Sequence, residues 1–223
     1  MVKRHAVCLL SGGLDSTVAA AVLSHRGYQL YGLTFLYSQK TWKKEEDCAR
    51  QVAEHFGVIE HRVVDLSWLK DLIRSGLTDP KTLLTYENRA LIYVPFRNTI
   101  FLSIAVAWAE SLGANGVAIG SHRSDVVCPD NSPEYMLAFQ EVTRIGAVAH
   151  PPIEIVAPFV HSAKADVVRR GLELDVPFHL TWTCFNSVDV ACGQCTNCLD
   201  RFSAFADCNE RDPLPYTVVP VPK

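Results

Sequence analysis

The stretch Ala6-Val7-Cys8-Leu9-Leu10-Ser11-Gly12-Gly13-Leu14-Asp15-Ser16-Thr17 decides the fold class. Ala6 to Leu10 is an uninterrupted apolar run that reads as a buried strand, and a glycine pair then breaks it. From Thr17 to His25 the pattern turns helical and stops before Gly27, a C-cap position. A glycine-rich turn between strand and helix gathers free backbone N–H groups and the positive helix end at one point. Gly12 and Gly13 permit positive φ and close approach to an anion. Ser11, Ser16 and Thr17 add hydroxyl groups, and Asp15 is placed either to orient a magnesium ion or to cap the helix. The candidate phosphate-binding residues are therefore Leu10, Ser11, Gly12, Gly13, Leu14, Asp15, Ser16 and Thr17.

The same rhythm continues outward. Gln29–Leu36 reads as a strand, Lys44–Phe56 as a helix closed by Gly57, and Val58–Asp65 as a third strand. Strand–helix–strand alternation implies right-handed crossovers and an open, mostly parallel sheet with helices on both faces. Asn98–Leu112 is a long apolar helix ended by Gly113, and Val117–Gly120 is short and apolar, as a central strand is. Pro133–Val148 reads as a helix with Pro in its first turn, Ile153–Ala157 as a strand and Ala163–Gly171 as a helix. From Pro177 the pattern changes to a cysteine cluster, a short helix and an extended tail. We thus expect a nucleotide-binding α/β domain over 1–176 and a small metal-binding segment over 177–223.

A length of 223 residues with 48% hydrophobic and 20% charged side chains suits one sizeable domain. A net charge of −3 offers no basic field for nucleic acid, so no stable nucleic-acid partner is expected. No run of 18 apolar residues is present, and the apolar start ends at Ser11-Gly12-Gly13, too soon for a secretory segment. The expected location is the cytoplasm.

Two common glycine loops do not match. No lysine follows Gly13 as the Walker loop requires, and the third glycine of the dinucleotide fingerprint is missing. The string Ser11-Gly12-Gly13-Leu14-Asp15-Ser16 instead resembles the signature of the PP-loop ATP pyrophosphatases. That resemblance implies ATP cleavage between the α- and β-phosphates, pyrophosphate held in the loop, and AMP transferred to a substrate oxygen that a nucleophile then frees. Carboxylates, amides and tRNA carbonyls are all activated this way within the superfamily.

Of eight cysteines, Cys184, Cys192, Cys195 and Cys198 lie close together. Four thiolates with Gly193 turning between two of them fit tetrahedral zinc, whose filled shell leaves no open position for catalysis. An iron–sulfur cluster also takes four cysteines, whereas disulfides do not suit a reducing compartment. The neighbours Asp189, Asp200 and Arg201 are not the basic patch of a nucleic-acid zinc ribbon.

Within Tyr93-Val94-Pro95-Phe96-Arg97-Asn98, Asn98 is placed to cap the apolar helix, and Arg97 adds positive charge where the helix is already positive. That conflict points to an anion nearby, although a solvated arginine fits equally well. Lys164 opens a late helix after a strand, a position suited to phosphate, where a lysine is nonetheless more often inert. Asp125 and Asp130 lie in the loop after the central strand, and Asp130, Asn131 and Glu134 are placed to read a polar substrate. His122, His150, His161 and His179 carry no metal spacing.

The loop, Val94-Pro95-x-Arg97-Asn98 and the cysteine pattern occur in one order. With Asp130-Asn131-Ser132-Pro133-Glu134-Tyr135, Asp175-Val176-Pro177-Phe178 and Thr181-Trp182-Thr183-Cys184, they resemble the 7-cyano-7-deazaguanine synthase family from about Ala6 to Phe205. The resemblance implies conversion of 7-carboxy-7-deazaguanine and ammonia to a nitrile through two adenylations, with ATP, Mg2+ and a structural Zn2+, and often a homodimer. It implies that Ser11 to Thr17 hold pyrophosphate and that Arg97 and Lys164 meet phosphate or substrate charge. With Asp15 these two are the candidate catalytic residues, and Arg97, Asn98, Asp125, Asp130 and Glu134 are the candidate substrate contacts. A related enzyme passing the acyl group to another amine, or a PP-loop tRNA-modifying enzyme, are the alternatives. Two departures stand out. Phe96 replaces a glycine found in many members, and Val127-Cys128-Pro129-Asp130-Asn131-Ser132 stands where they have Gly-Tyr-Pro-Asp-Cys-Arg.

Overall fold

A computed structural model describes residues 4–124 and 127–221. The strands are β1 (Arg4–Leu9), β2 (Tyr28–Leu36), β3 (His61–Asp65), β4 (Gly116–Ala118) and β5 (Glu154–Val156). They lie in the order β3-β2-β1-β4-β5, and every neighbouring pair is parallel. The helices are α1 (Leu14–His25), α2 (Trp42–His55), α3 (Arg97–Leu112), α4 (Pro133–Gly146), α5 (Lys164–Glu173) and α6 (Thr196–Asp207). The expected α/β architecture is present.

Alternation along β1 builds two cores at once. Ala6, Cys8 and Leu10 face one layer with Val18 and Leu23 of α1, Ala49 and Val52 of α2, Val167 and Val168 of α5, and Phe205 of α6. Val7 and Leu9 face the other, with Leu102, Ala105 and Ala109 of α3 and Met136 and Phe139 of α4. Each such side chain, fully buried, contributes roughly 1.5–3 kcal/mol if large and apolar. Residues 66–96, between β3 and α3, form no strand. Two short 3-10 turns punctuate them, and Leu69, Leu77, Leu84 and Val94 anchor them to the second core.

Several boundaries move for local reasons. β3 begins at His61 rather than Val58, because the Val58 N–H closes the end of α2 on the Ala53 carbonyl. α1 begins at Leu14, so Asp15 and Ser16 lie inside its first turn rather than capping it. Asn98 does not cap α3: the helix is entered through Phe96 in the left-handed region (φ 53°, ψ 24°), and Asn98 lies within the first turn. The stretch Arg89–Leu112 is apolar and long enough by composition to cross a membrane. Its continuous helix, α3, has 16 residues, about 24 Å, and Leu102, Ala105 and Ala109 pack it on the sheet.

Strand order reverses between β1 and β4, and both carboxyl ends point to one crevice, where open α/β sheets bind ligands. The approach there is close. A Cβ on Gly120, just after β4, would lie 2.6 Å from the Ser16 nitrogen, and one on Gly12 would meet the Glu45 carbonyl at 2.2 Å. Gly12 also needs its φ of 71°.

Candidate active site

The loop after β1 folds on itself before α1 starts. The Gly13 N–H donates to Ser11 Oγ (3.3 Å), and the Ser16 and Thr17 hydroxyls donate to the Gly13 carbonyl (3.1 and 2.8 Å). No side chain caps α1. Its first N–H groups and positive end therefore remain available to an anion in the cavity lined by Ser11, Gly13, Asp15 and Ser16. Leu10 and Leu14 line the same cavity and are almost fully buried, and Thr17 is buried with its hydroxyl on Gly13.

On the β4 side three groups converge. Lys164, at the start of α5, pairs with Asp15 Oδ2, and its Nζ lies 3.4 Å from His122 Nε2. His122 Nε2 is 3.7 Å from the other Asp15 oxygen, Oδ1, which is buried without a hydrogen-bond partner. Burial disfavours the Asp15 carboxylate, but Lys164 and then His122 outweigh it and hold its pKa below the usual value. Oδ1 is thus an unsatisfied anionic oxygen beside a phosphate-type loop, a fit for a hard divalent cation.

On the β2 side stand Tyr37, Gln39, Glu45 and Arg97. Arg97 donates to the Tyr37 hydroxyl (3.1 Å), and burial pushes that phenol's pKa up, so Arg97 faces a neutral partner. Burial also raises the pKa of Glu45, against the hydrogen bonds from Thr41 (2.5 Å) and Gln39 (3.0 Å).

The remaining expected substrate residues divide. Asn98 lines the cavity and is held by Asn131 Oδ1 (2.7 Å), which also accepts from Ser121 (2.8 Å). Asp130 is buried and receives the Asn98 N–H on Oδ2 (2.9 Å), doing for α3 what a capping side chain does. Glu134 is exposed in the first turn of α4, and Asp125 lies outside the described residues. Tyr37, Gln39, Glu45 and His122 are not among the site residues expected from the sequence. The signal available for them was position: Tyr37 and Gln39 follow β2 and His122 follows β4, at the carboxyl ends that face the crevice.

The C-terminal segment closes the cavity beside the loop. The Trp182 N–H donates to the Gly12 carbonyl (2.8 Å), and Trp182 and Thr183 line the cavity. Arg201, fully buried, donates to Thr181 (2.7 Å), Thr183 (3.1 Å), the Phe178 carbonyl (3.1 Å) and Asp212 (2.8 Å). Next to it the four sulfurs of Cys184, Cys192, Cys195 and Cys198 lie within 4.8 Å of one another. Tetrahedral sulfurs about 2.3 Å from a shared ion stand roughly 3.8 Å apart, inside that spread. N–H groups of Asn186 and Cys192 point at Cys184 Sγ (3.4 and 3.3 Å), and those of Gln194 and Cys195 at Cys192 Sγ (both 3.4 Å), which favours thiolates. The cluster suits a metal ion.

Residues 5–209 match the family model described as queuosine biosynthesis protein QueC. The chain belongs to that family. Among similar curated proteins, the 7-cyano-7-deazaguanine synthase of Chlorobaculum parvum is 41% identical over 221 residues, 96% of this chain and 97% of that one. The synthase of the same name from Methanospirillum hungatei is also 41% identical, over 95% of this chain and 99% of its own. Among solved structures, NMN synthetase from Francisella tularensis aligns with TM-score 0.51 at 16% identity, covering 94% of this chain and 78% of that one. This last likeness concerns the fold alone.

Proposed function

We propose that this QueC-family chain is an ATP-dependent ligase that converts 7-carboxy-7-deazaguanine and ammonia to 7-cyano-7-deazaguanine, a queuosine precursor. One observation carries the reading: a single cavity joins an uncapped helix end, an Asp15–Lys164 pair and the cation Arg97, in a chain whose relatives bear that synthase's name. The loop Ser11–Thr17 holds the pyrophosphate portion of ATP through its N–H groups and hydroxyls. Lys164, released from Asp15, follows the charge at the α-phosphate as a carboxylate oxygen attacks it. Such fixed charges act most strongly on a transition state in which negative charge builds up. Ammonia then displaces AMP to give the amide, whose oxygen is adenylated in turn, and loss of the second AMP leaves the nitrile.

Asp15 Oδ1 is the residue atom we assign to Mg2+, which when bound neutralises phosphate charge. We assign Zn2+ to the four cysteines, as a structural ion that binds residues 177–223 to the domain formed by 1–176. Asn98 is assigned to the substrate, and Asp130 acts on it by holding α3. Glu134, exposed in the first turn of α4, keeps its proposed role as a substrate contact, as does Asp125. Leu137, Val142 and Ile145 of α4 are each at least 60% exposed, an apolar face suited to a second copy of the chain, so a homodimer is proposed. The cytoplasm is the proposed location, because its reducing conditions keep a cluster such as Cys184, Cys192, Cys195 and Cys198 available as thiolates.

The reading is tested by mixing the pure protein with ATP, Mg2+, ammonia and the 7-carboxy compound. AMP release that depends on the acid, with nitrile detected by mass spectrometry, is expected. ATP turnover that ignores the acid would contradict it, and a product that stops at an amide would point to an acyl-transfer relative. Light scattering at twice the chain mass tests the dimer.

A further inference from the structure

A 7-substituted 7-deazaguanine carries, away from its reacting carboxyl group, one edge with a fixed pattern. A ring carbonyl accepts, the adjoining ring N–H donates, and the exocyclic amine donates beside it. The complement is a carboxylate, which spans two parallel N–H groups, next to a donor that reaches the carbonyl. Among the described residues two carboxylates line the cavity, Asp15 and Glu45, and Asp15 pairs with Lys164 and is assigned to the phosphate and metal side.

Glu45 is in the first turn of α2. Each of its oxygens accepts one hydrogen bond, from Thr41 or from Gln39, which leaves acceptor capacity on both. No cation of the described residues lies within ion-pair distance of it, and Arg97 acts on it only from further away. Arg97 donates to Tyr37 and has no carboxylate of the described residues in contact, which leaves most of its five donors without a partner among the described residues. An anion and a cation thus stand on one wall, neither neutralised by contact. The stacked rings of Phe35 and Phe101 (4.1 Å) line that wall and offer an aromatic surface to a flat heterocycle. A purely local role, the Thr41–Glu45 contact at the helix start, accounts for one hydrogen bond but not for a desolvated carboxylate facing the cavity without a counter-ion.

We propose that Glu45 and Arg97 form the subsite that reads the heterocycle edge, with Glu45 accepting the ring N–H and the exocyclic amine and Arg97 donating to the ring carbonyl. The subsite rests on the reaction proposed above. It assigns Glu45 to substrate specificity, on the β2 side, and leaves the adenylation chemistry to the β4 side.

The test pairs a variant with an analogue. Glu45→Gln and the wild type are each assayed with the 7-carboxy compound and with its analogue lacking the exocyclic amine, while ammonia is varied separately. We expect Glu45→Gln to raise KM for the acid roughly ten- to a hundredfold. Deletion of the amine should penalise wild type by a similar factor but cost the variant far less, with KM for ammonia unchanged in both. Equal penalties for the analogue on both proteins would overturn the subsite, as would a Glu45→Gln effect confined to ammonia or to thermal stability. The wild-type arm needs no substitution, so a poorly folding variant leaves it decisive: wild type indifferent to the amine also overturns the subsite. Wild type that neither binds nor turns over the acid removes the underlying reaction, whereas normal turnover without discrimination removes the subsite alone.

Discussion

Asp15 and Glu45 line one cavity on two sides of β1, and their surroundings push them in opposite directions. Asp15 meets groups that follow β4 and β5, His122 and Lys164, and the cation makes its carboxylate easier to ionise. Glu45 meets residues that follow β2, with no cation in contact, and burial makes it harder to ionise. A paired carboxylate beside a helix end suits handling of phosphate and metal. A carboxylate with open acceptor sites suits reading donors on a ligand. The difference separates chemistry from recognition within one crevice.

Losing the ion proposed at the four cysteines should sharpen the separation most. The cysteine segment reaches the cavity at the loop, through Trp182 on Gly12. Cys195→Ser should release the bound ion, lower Tm by about 10 °C or more, and cut ATP turnover. Whatever acid binding survives in the folded fraction should remain dependent on Glu45, and elemental analysis with calorimetry checks both parts. Next in size, Lys164→Ala should lower kcat roughly 10²- to 10³-fold with KM for the acid little changed. A rise in KM for the acid alone would move Lys164 to the recognition side.

The opposed carboxylates also predict opposed pH effects on stability. Asp15 has a folded-state pKa below its unfolded value, so its contribution is present above the unfolded pKa, about 3.9, and is lost as pH falls through the folded pKa. Glu45 has a raised folded-state pKa, so its ionisation opposes folding once pH exceeds the unfolded value of about 4.3. Glu45→Gln should therefore raise Tm at pH 7, and the gain should fade towards pH 4. Asp15→Asn should do the reverse, lowering Tm at pH 7. Thermal melts across that range check the pair. The smallest effect concerns Phe96, which is 63% exposed at φ 53°. Phe96→Gly should relieve the left-handed strain at little packing loss and raise stability by about 1 kcal/mol or less, read as a small rise in Tm.

The two sides differed in legibility for the same reason they differ in construction. The loop is contiguous: strand, Gly12-Gly13 and helix follow one another, so local pattern carries its geometry, and the cysteines share that advantage. Lys164 was visible as the first residue of a helix after a strand. The β2 side is assembled from Tyr37, Gln39, Glu45 and Arg97, which come from a strand end, a loop and two helices. No spacing signals that assembly. Asn98 shows the limit of local reading, because the cap came from Asp130, 32 residues away in sequence. Phe96, where the family resemblance implies a glycine, stands in the left-handed region that glycine adopts most readily.

The central claim is that both steps transfer AMP to an oxygen of the substrate. It is tested most directly with 7-carboxy-7-deazaguanine labelled with 18O at both carboxyl oxygens. The account predicts two AMP per nitrile, each carrying one 18O atom, with unlabelled pyrophosphate. Label recovered in inorganic phosphate or in water, with unlabelled AMP, would contradict it.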